Sequence, residues 1–243
     1  MKQGPTLELP EYIIRPGIVV TRPPLPFDRD AAPIFNHKEF EKHSFFKKNR
    51  NASFIETGTF YGHGVLSAIA VGCVDIHSIE IKNELFGYTS CMLDLLAYHN
   101  AYNFEIETYR CNDFYSVIFG DKIRISLYLG DSCEVLPKVL QRTIVKSTFW
   151  LDAHYSGDGT GVSEANGDFP IYKELQIIKN HGIKDHTIMI DDVKSFEKFS
   201  PDQNEKLDAF LHTINSDYVI ERVTKSDAPD EEALIAYTPE DKQ

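Results

Sequence analysis

From Ser53 onward the chain alternates short apolar runs with longer stretches of helical period, and the first five apolar runs each end at or near a carboxylate. The strand candidates are Ser53–Glu56, Asp75–Ile81, Ile123–Tyr128, Ser147–Leu151 and Thr187–Ile190. Helical stretches follow them at His63–Val71, Leu85–Tyr98, Ser132–Gln141, Ile171–Asn180 and Asn204–Ile214. Parallel strands cannot be joined by a tight turn and need a crossover, usually helical. Strands separated by helices therefore predict βαβ units and an open, doubly wound, mostly parallel α/β sheet. Tyr218–Val223 and Ala233–Tyr237 have no helix between them, which predicts an antiparallel C-terminal pair.

Residues 1–35 contain seven prolines (Pro5, Pro10, Pro16, Pro23, Pro24, Pro26 and Pro33). Such a segment resists regular structure and reads as an arm, with residues 36–243 as one domain. The apolar groups Ile13-Ile14 and Ile18-Val19-Val20 give the arm a surface to dock on the domain or on a second subunit, so a homodimer is admitted. Next, HKEFEKHSFFKKNR reads as an amphipathic helix with Phe40, Phe45 and Phe46 on its buried side.

The net charge of −12 argues against general nucleic-acid binding, which depends on neutralising phosphates. Lys47, Lys48 and Arg50 form a local basic group, read as a solvated helix face. No apolar run approaches the roughly 20 residues needed to span a bilayer, and the opening MKQGPTLELPEYIIRPG lacks the apolar segment of a signal peptide. Cys73, Cys91, Cys111 and Cys133 form no C-x-x-C pair, so structural zinc is not expected. Scattered thiols fit a reducing compartment, and the expected location is the cytoplasm, with no membrane partner.

Ligands in open α/β sheets bind beyond the carboxyl ends of the strands, so the residues after each strand matter most. The first loop reads Glu56-Thr57-Gly58-Thr59-Phe60-Tyr61-Gly62-His63-Gly64. Its glycine spacing departs from the G-x-G-x-x-G of dinucleotide-binding loops, and no G-x-x-x-x-G-K-[ST] is present. The second strand ends at Glu80; Glu80 alone would also suit NAD. The third leads into Gly130-Asp131-Ser132, where Asp131 is also placed to cap the following helix.

This ordered set resembles class I S-adenosylmethionine-dependent methyltransferases, which have a Rossmann-like fold. The resemblance covers residues 52 to about 196. It implies that Glu56, Thr57, Gly58, Tyr61 and Gly62 form the loop around the amino-acid end of the cofactor. It further implies that Glu80 takes the ribose hydroxyls, that Asp131 and Ser132 meet the adenine, and that Asp152 completes the cofactor site.

The most distinctive stretch is Asp152-Ala-His154-Tyr155-Ser156-Gly-Asp158-Gly-Thr160-Gly161, after the fourth strand, with Asp191-Asp192 after the fifth. The pairing resembles the metal-dependent sugar O-methyltransferases of the macrocin and novobiocin type. The resemblance implies a divalent metal, Mg²⁺ first and Mn²⁺ second, on Asp152, Asp191 and Asp192, activating a hydroxyl of the acceptor. His154 stands where those enzymes carry a further acid. Histidine is a credible base near neutral pH, so His154 and Asp152 are the expected catalytic residues. Tyr155, Ser156, Asp158 and Thr160 are candidates to touch a small-molecule acceptor such as a sugar or nucleotide-linked sugar. Other readings stay open: a metal-free N- or O-methyltransferase with His154 as base, an NAD-dependent oxidoreductase, and a non-catalytic binding protein. The aromatic residues Phe114, Tyr115 and Phe119 do not choose among acceptors.

Overall fold

The structure is a computed structural model that describes residues 46–48, 50–101, 105–120, 122–154, 160–161, 163, 170–194, 203–224 and 232–239. The expected arm, and Phe40 and Phe45 of the expected helix after it, lie outside these residues.

The strands are β1 (Ser53–Thr57), β2 (Asp75–Glu80), β3 (Ile106–Cys111), β4 (Phe114–Phe119), β5 (Ile123–Leu129), β6 (Ser147–Leu151), β7 (Thr187–Ile190), β8 (Val219–Thr224) and β9 (Glu232–Tyr237). The helices described are α1 (His63–Ala70), α2 (Asn83–Asn100), α3 (Ser132–Leu140), α4 (Ile171–Asn180) and α5 (Gln203–Ile214). One mixed sheet runs β3-β4-β5-β2-β1-β6-β7-β9-β8. Its five central strands, β5 to β7, are mutually parallel. At the far edge β9 runs antiparallel to both β7 and β8. The expected α/β sheet with its antiparallel C-terminal pair is thus present, and β9 enters between β7 and β8.

Two strands fall where sequence periodicity marks none. β3 and β4 form an antiparallel hairpin that extends the sheet beyond β5. β3 is exposed along most of its length, and its Glu107 and Arg110 suit a sheet edge that must not pair with another chain. That polarity hides it from an apolar pattern. Tyr115 and Phe119 of β4 are core residues, and Phe114 packs on Tyr128 with ring centroids 5.1 Å apart. The hairpin is tied to α2 at Asp94, which accepts from the Tyr115 hydroxyl at 2.9 Å and from Arg110 at 2.6 Å.

Alternation along the central strands divides the core into two layers. Ile55, Phe149, Ile188 and Ile190 face Leu136, Leu175 and Leu211 of α3, α4 and α5. Phe54, Trp150 and Met189 face the other way, with Val65 of α1 and Leu93 of α2. Phe46 completes that second layer, tilted against Phe54 at 4.9 Å and edge-on to Trp150 at 5.2 Å, on the buried side that the amphipathic pattern predicts. Lys47, Lys48 and Arg50 are exposed.

The chain builds outward from β1 on one side through β2 and β5, then returns to lay down β6 and β7 on the other. The order therefore reverses between β1 and β6, which is where a crevice forms in this architecture. No helix among the described residues is long and apolar enough to cross a membrane, and the four cysteines are unbridged.

Candidate functional site

Backbone pairing continues one residue past the strands and brings their terminal loops together. The Gly58 N–H donates to Ile79 O at 2.9 Å, Gly130 to Glu80 O at 2.8 Å, Asp152 to Thr57 O at 3.0 Å and Asp191 to Leu151 O at 3.1 Å. Five loops are thereby locked side by side over the carboxyl edge of the sheet, around a single cleft. Gly58 makes the closest approach. It sits at φ +80°, and a Cβ there would lie 2.3 Å from the carbonyl oxygen of Asp152. Only glycine lets the β1 loop rest on the β6 loop.

Gly58, Glu80, Asp131, Ser132, Asp152, His154, Thr160, Asp191 and Asp192 all line this cleft. Tyr155, Ser156 and Asp158 lie outside the described residues. Lining residues that the sequence reading did not single out include Thr59, Phe60, Ile81, Leu85 and Ser163. Pro170 is the residue before the first turn of α4, and its carbonyl accepts from the N–H groups of Lys173 and Glu174.

Glu56, Thr57, Tyr61 and Gly62, also expected at the cofactor, do not line this cleft. The reason for Glu56 is strand alternation. It shares the face of Phe54 and points beneath α1, where a Cβ on Gly64 would fall 1.6 Å from its Oε1. Its Oε2 accepts from the Ser78 hydroxyl at 2.6 Å, and Ser78 in turn pairs with Thr59 at 2.6 Å. Because the Ser78 proton goes to Glu56, Thr59 is the donor of the second bond. Glu56 thus braces the loop from below. Gly62 caps α1 at φ +82°, and Tyr61 lies on the outer rim between Phe60 and Tyr88, at 4.3 and 5.1 Å.

Glu80 is buried at the end of β2. Its oxygens accept from the backbone N–H groups of Phe60 and Lys82, each at 2.8 Å. Burial raises its pKa above the ordinary value, and those two N–H groups offset this only in part. Phe60 reaches Glu80 by adopting φ +49°, a conformation uncommon for a side-chain-bearing residue. Asp131 caps α3 through the Cys133 N–H at 2.8 Å and also accepts from the Ser163 hydroxyl. The capping role foreseen for it therefore coexists with a place in the cleft wall.

At the β6 end of the cleft His154 is buried between two aspartates. Its Nε2 lies 3.1 Å from Asp192 Oδ2 and its Nδ1 lies 3.5 Å from Asp152 Oδ1. Trp150 Nε1–H donates to the other oxygen of Asp152 at 3.2 Å. Burial by itself would lower the histidine pKa. The hydrogen bond to Asp192 and the charges of Asp152, Asp192 and Asp191 outweigh it, so the pKa is raised.

Asp191 is buried and turns Oδ1 back to the N–H of Asp192 at 2.9 Å. Asp192 itself sits at φ +49°. Asp152, Asp191 and Asp192, the residues expected to hold a metal, all reach this end of the cleft. The imidazole occupies the space between Asp152 and Asp192. Among the described residues no group of three or more His, Cys, Asp or Glu side chains is arranged to hold a metal ion.

No protein-family model matches the chain, and no curated protein matches its sequence. Among solved structures, the O-methyltransferase TomG from Streptomyces achromogenes, involved in tomaymycin synthesis and in complex with SAM, is similar at 13% identity; the match covers 83% of this chain and 80% of that one, with TM-score 0.47. An O-methyltransferase from Bacillus cereus in complex with SAH is similar at 11% identity, over 86% and 83% of the two chains, with TM-score 0.47. A precorrin 8W decarboxylase from Methanobacterium thermoautotrophicum is similar at 15% identity, over 85% and 91%, with TM-score 0.45. At these identities and TM-scores the likenesses carry no functional argument.

Proposed function

We propose that the chain is an S-adenosylmethionine-dependent methyltransferase that methylates a hydroxyl of a small acceptor, with His154 taking the hydroxyl proton. The observation that carries this reading is the charge of the cleft. Glu80, Asp131, Asp152, Asp191 and Asp192 line it, and among the described residues no Lys or Arg does. Such a wall opposes the pyrophosphate of a dinucleotide and attracts a cation. It also favours an uncharged sugar over a nucleotide-linked one as acceptor.

S-adenosylmethionine supplies an electrophilic methyl group on a cationic sulfonium. The residues present suit it. Gly58 lets the β1 and β6 loops close together at the floor of the cleft. Glu80, held rigid by two backbone N–H groups, keeps lone pairs for the vicinal hydroxyls of a ribose. Asp131 and Ser132 offer polar groups one strand further along.

Neutral His154 would accept the proton of the acceptor hydroxyl, and Asp152 and Asp192 would stabilise the imidazolium that forms. Proton removal then falls to the imidazole, and no step needs a metal. Thr160 lines the same cleft and is the acceptor-contacting candidate among the described residues.

Calorimetric titration tests the reading. S-adenosylmethionine should bind at a single site and NAD should give no heat. Binding of NAD alone would overturn it.

A further inference from the structure

The core stripe of α4 runs Ile171, Glu174, Leu175, Ile178, the spacing of a buried helical face with a carboxyl inserted at its second position. Glu174 is 1% exposed. It lies directly behind the cleft, with the hydroxyls of Thr57, at the end of β1, and Ser132, at the start of α3, facing its carboxyl. Its Oε1 has no hydrogen-bond partner among the described residues. Burying a polar atom in this way is costly and calls for an explanation. Packing supplies none, because an apolar residue would continue the stripe.

Each neighbour leads to a different part of the site. Thr57 accepts the Asp152 N–H on its carbonyl oxygen at 3.0 Å, and Asp152 faces His154. Ser132 lines the cleft beside Asp131. The other titratable groups that bear on Glu174 are Asp131, Cys133 and His154. Asp131 disfavours a second negative charge and His154 favours it. Burial dominates and raises the Glu174 pKa to about 7, so the carboxyl can change state under ordinary conditions.

Resting on the cofactor reading above, we infer that Glu174 is a positioning residue whose carboxyl is protonated in the empty protein and ionised when a cationic cofactor fills the cleft. Filling the cleft with a sulfonium adds positive charge near a buried acid and favours the carboxylate. The proton leaves to solvent. The carboxylate then draws the hydroxyl hydrogens of Thr57 and Ser132 towards itself and fixes both loops. S-adenosylhomocysteine lacks the sulfonium charge and drives this ionisation less. Glu174 thereby helps the site distinguish cofactor from spent product.

The test is calorimetry of the full chain in buffers of different ionisation enthalpy, which counts protons released on binding. At about pH 6.5 a carboxyl titrating near 7 is mostly protonated. S-adenosylmethionine should release more protons than S-adenosylhomocysteine, and the Glu174→Gln variant should lose up to about one proton of that release, keeping only what His154 contributes. Affinity of the unaltered protein for S-adenosylmethionine should fall below pH 7, and the glutamine variant should show a slope shallower by up to about tenfold per pH unit. Equal release from both ligands in the unaltered protein would overturn the inference even if the variant fails to fold. So would an unchanged slope in a folded variant. Heat without proton release sinks this inference alone, whereas no heat from either ligand sinks the methyltransferase reading with it.

Discussion

Asp192 holds the Nε2 atom of His154 3.1 Å from its Oδ2, and it does so from a left-handed backbone conformation at φ +49°. With Asp152 on the opposite ring nitrogen, the imidazole is favoured in its charged form. A base must be neutral to accept a proton. Activity should therefore rise with pH through a histidine pKa above 6.5, the ordinary value, and fall as His154 becomes charged. Asp192→Asn removes one supporting charge and should move that limb towards acid pH. His154→Ala should lower kcat by roughly 10²- to 10⁴-fold, the usual contribution of a general base. A pH–rate profile unchanged by Asp192→Asn would show that the pair is not part of the chemistry.

Metal dependence follows from the same arrangement. With the imidazole between the two carboxylates, methyl transfer should persist after exhaustive EDTA treatment and should not be raised by added Mg²⁺ or Mn²⁺. Loss of activity on chelation, restored by Mg²⁺, would mean that His154 moves aside in the working enzyme.

Gly58 is the contact on which the cleft depends. In Gly58→Ala the new methyl would meet the Asp152 carbonyl, and the residue would hold a positive φ that side chains avoid. Strain of this kind costs about 1–3 kcal/mol. The melting temperature should fall, and cofactor affinity should fall by more than tenfold as the β1 and β6 loops separate. A variant with unchanged affinity would show that the loop contact does not shape the site.

A histidine pair, His181 and His186, lies at the opposite edge of the sheet. His186 Nδ1 accepts the Ser147 N–H at 3.0 Å, so its proton sits on Nε2 and is donated to His181 Nδ1 at 2.8 Å. His181 then donates from Nε2 to Thr143 O at 3.1 Å. Every donor in this chain requires both rings to be neutral. Burial, reinforced by His181 and Lys146 and opposed by Asp185, lowers the His186 pKa to about 4. The unfolded chain takes up that proton nearer 6.5. Stability from the pair is therefore complete above about pH 6.5 and is lost progressively towards pH 4, by at most roughly 3 kcal/mol. Denaturant unfolding across this range should show the slope, and His186→Asn should flatten it.

Much of this was legible in the sequence because strand ends are marked twice, once by the change of hydrophobic period and once by an acid. Glu80, Asp131, Asp152 and the Asp191-Asp192 pair fall at those ends and reach one cleft. Glu56 did not follow, because its side chain is set by strand alternation and not by its place at the terminus. β3 escaped because an exposed, polar edge strand has no apolar stripe to display, and β4, though apolar and largely buried, is recognisable as a hairpin strand only beside it. Glu174 carried a visible sign, an acid within the apolar stripe of a helix, whose meaning depends on tertiary neighbours. The charge pairing of His154 likewise arises from residues 38 apart in sequence.

The central claim is that the anionic cleft between Gly58 and Gly130 receives S-adenosylmethionine. A crystal structure of the chain grown with S-adenosylhomocysteine tests it most directly. The account predicts density along that cleft, with the ribose hydroxyls on Glu80, the adenine beside Asp131 and the thioether directed towards His154. Density at another site, or a ligand in the cleft whose ribose avoids Glu80, would contradict it.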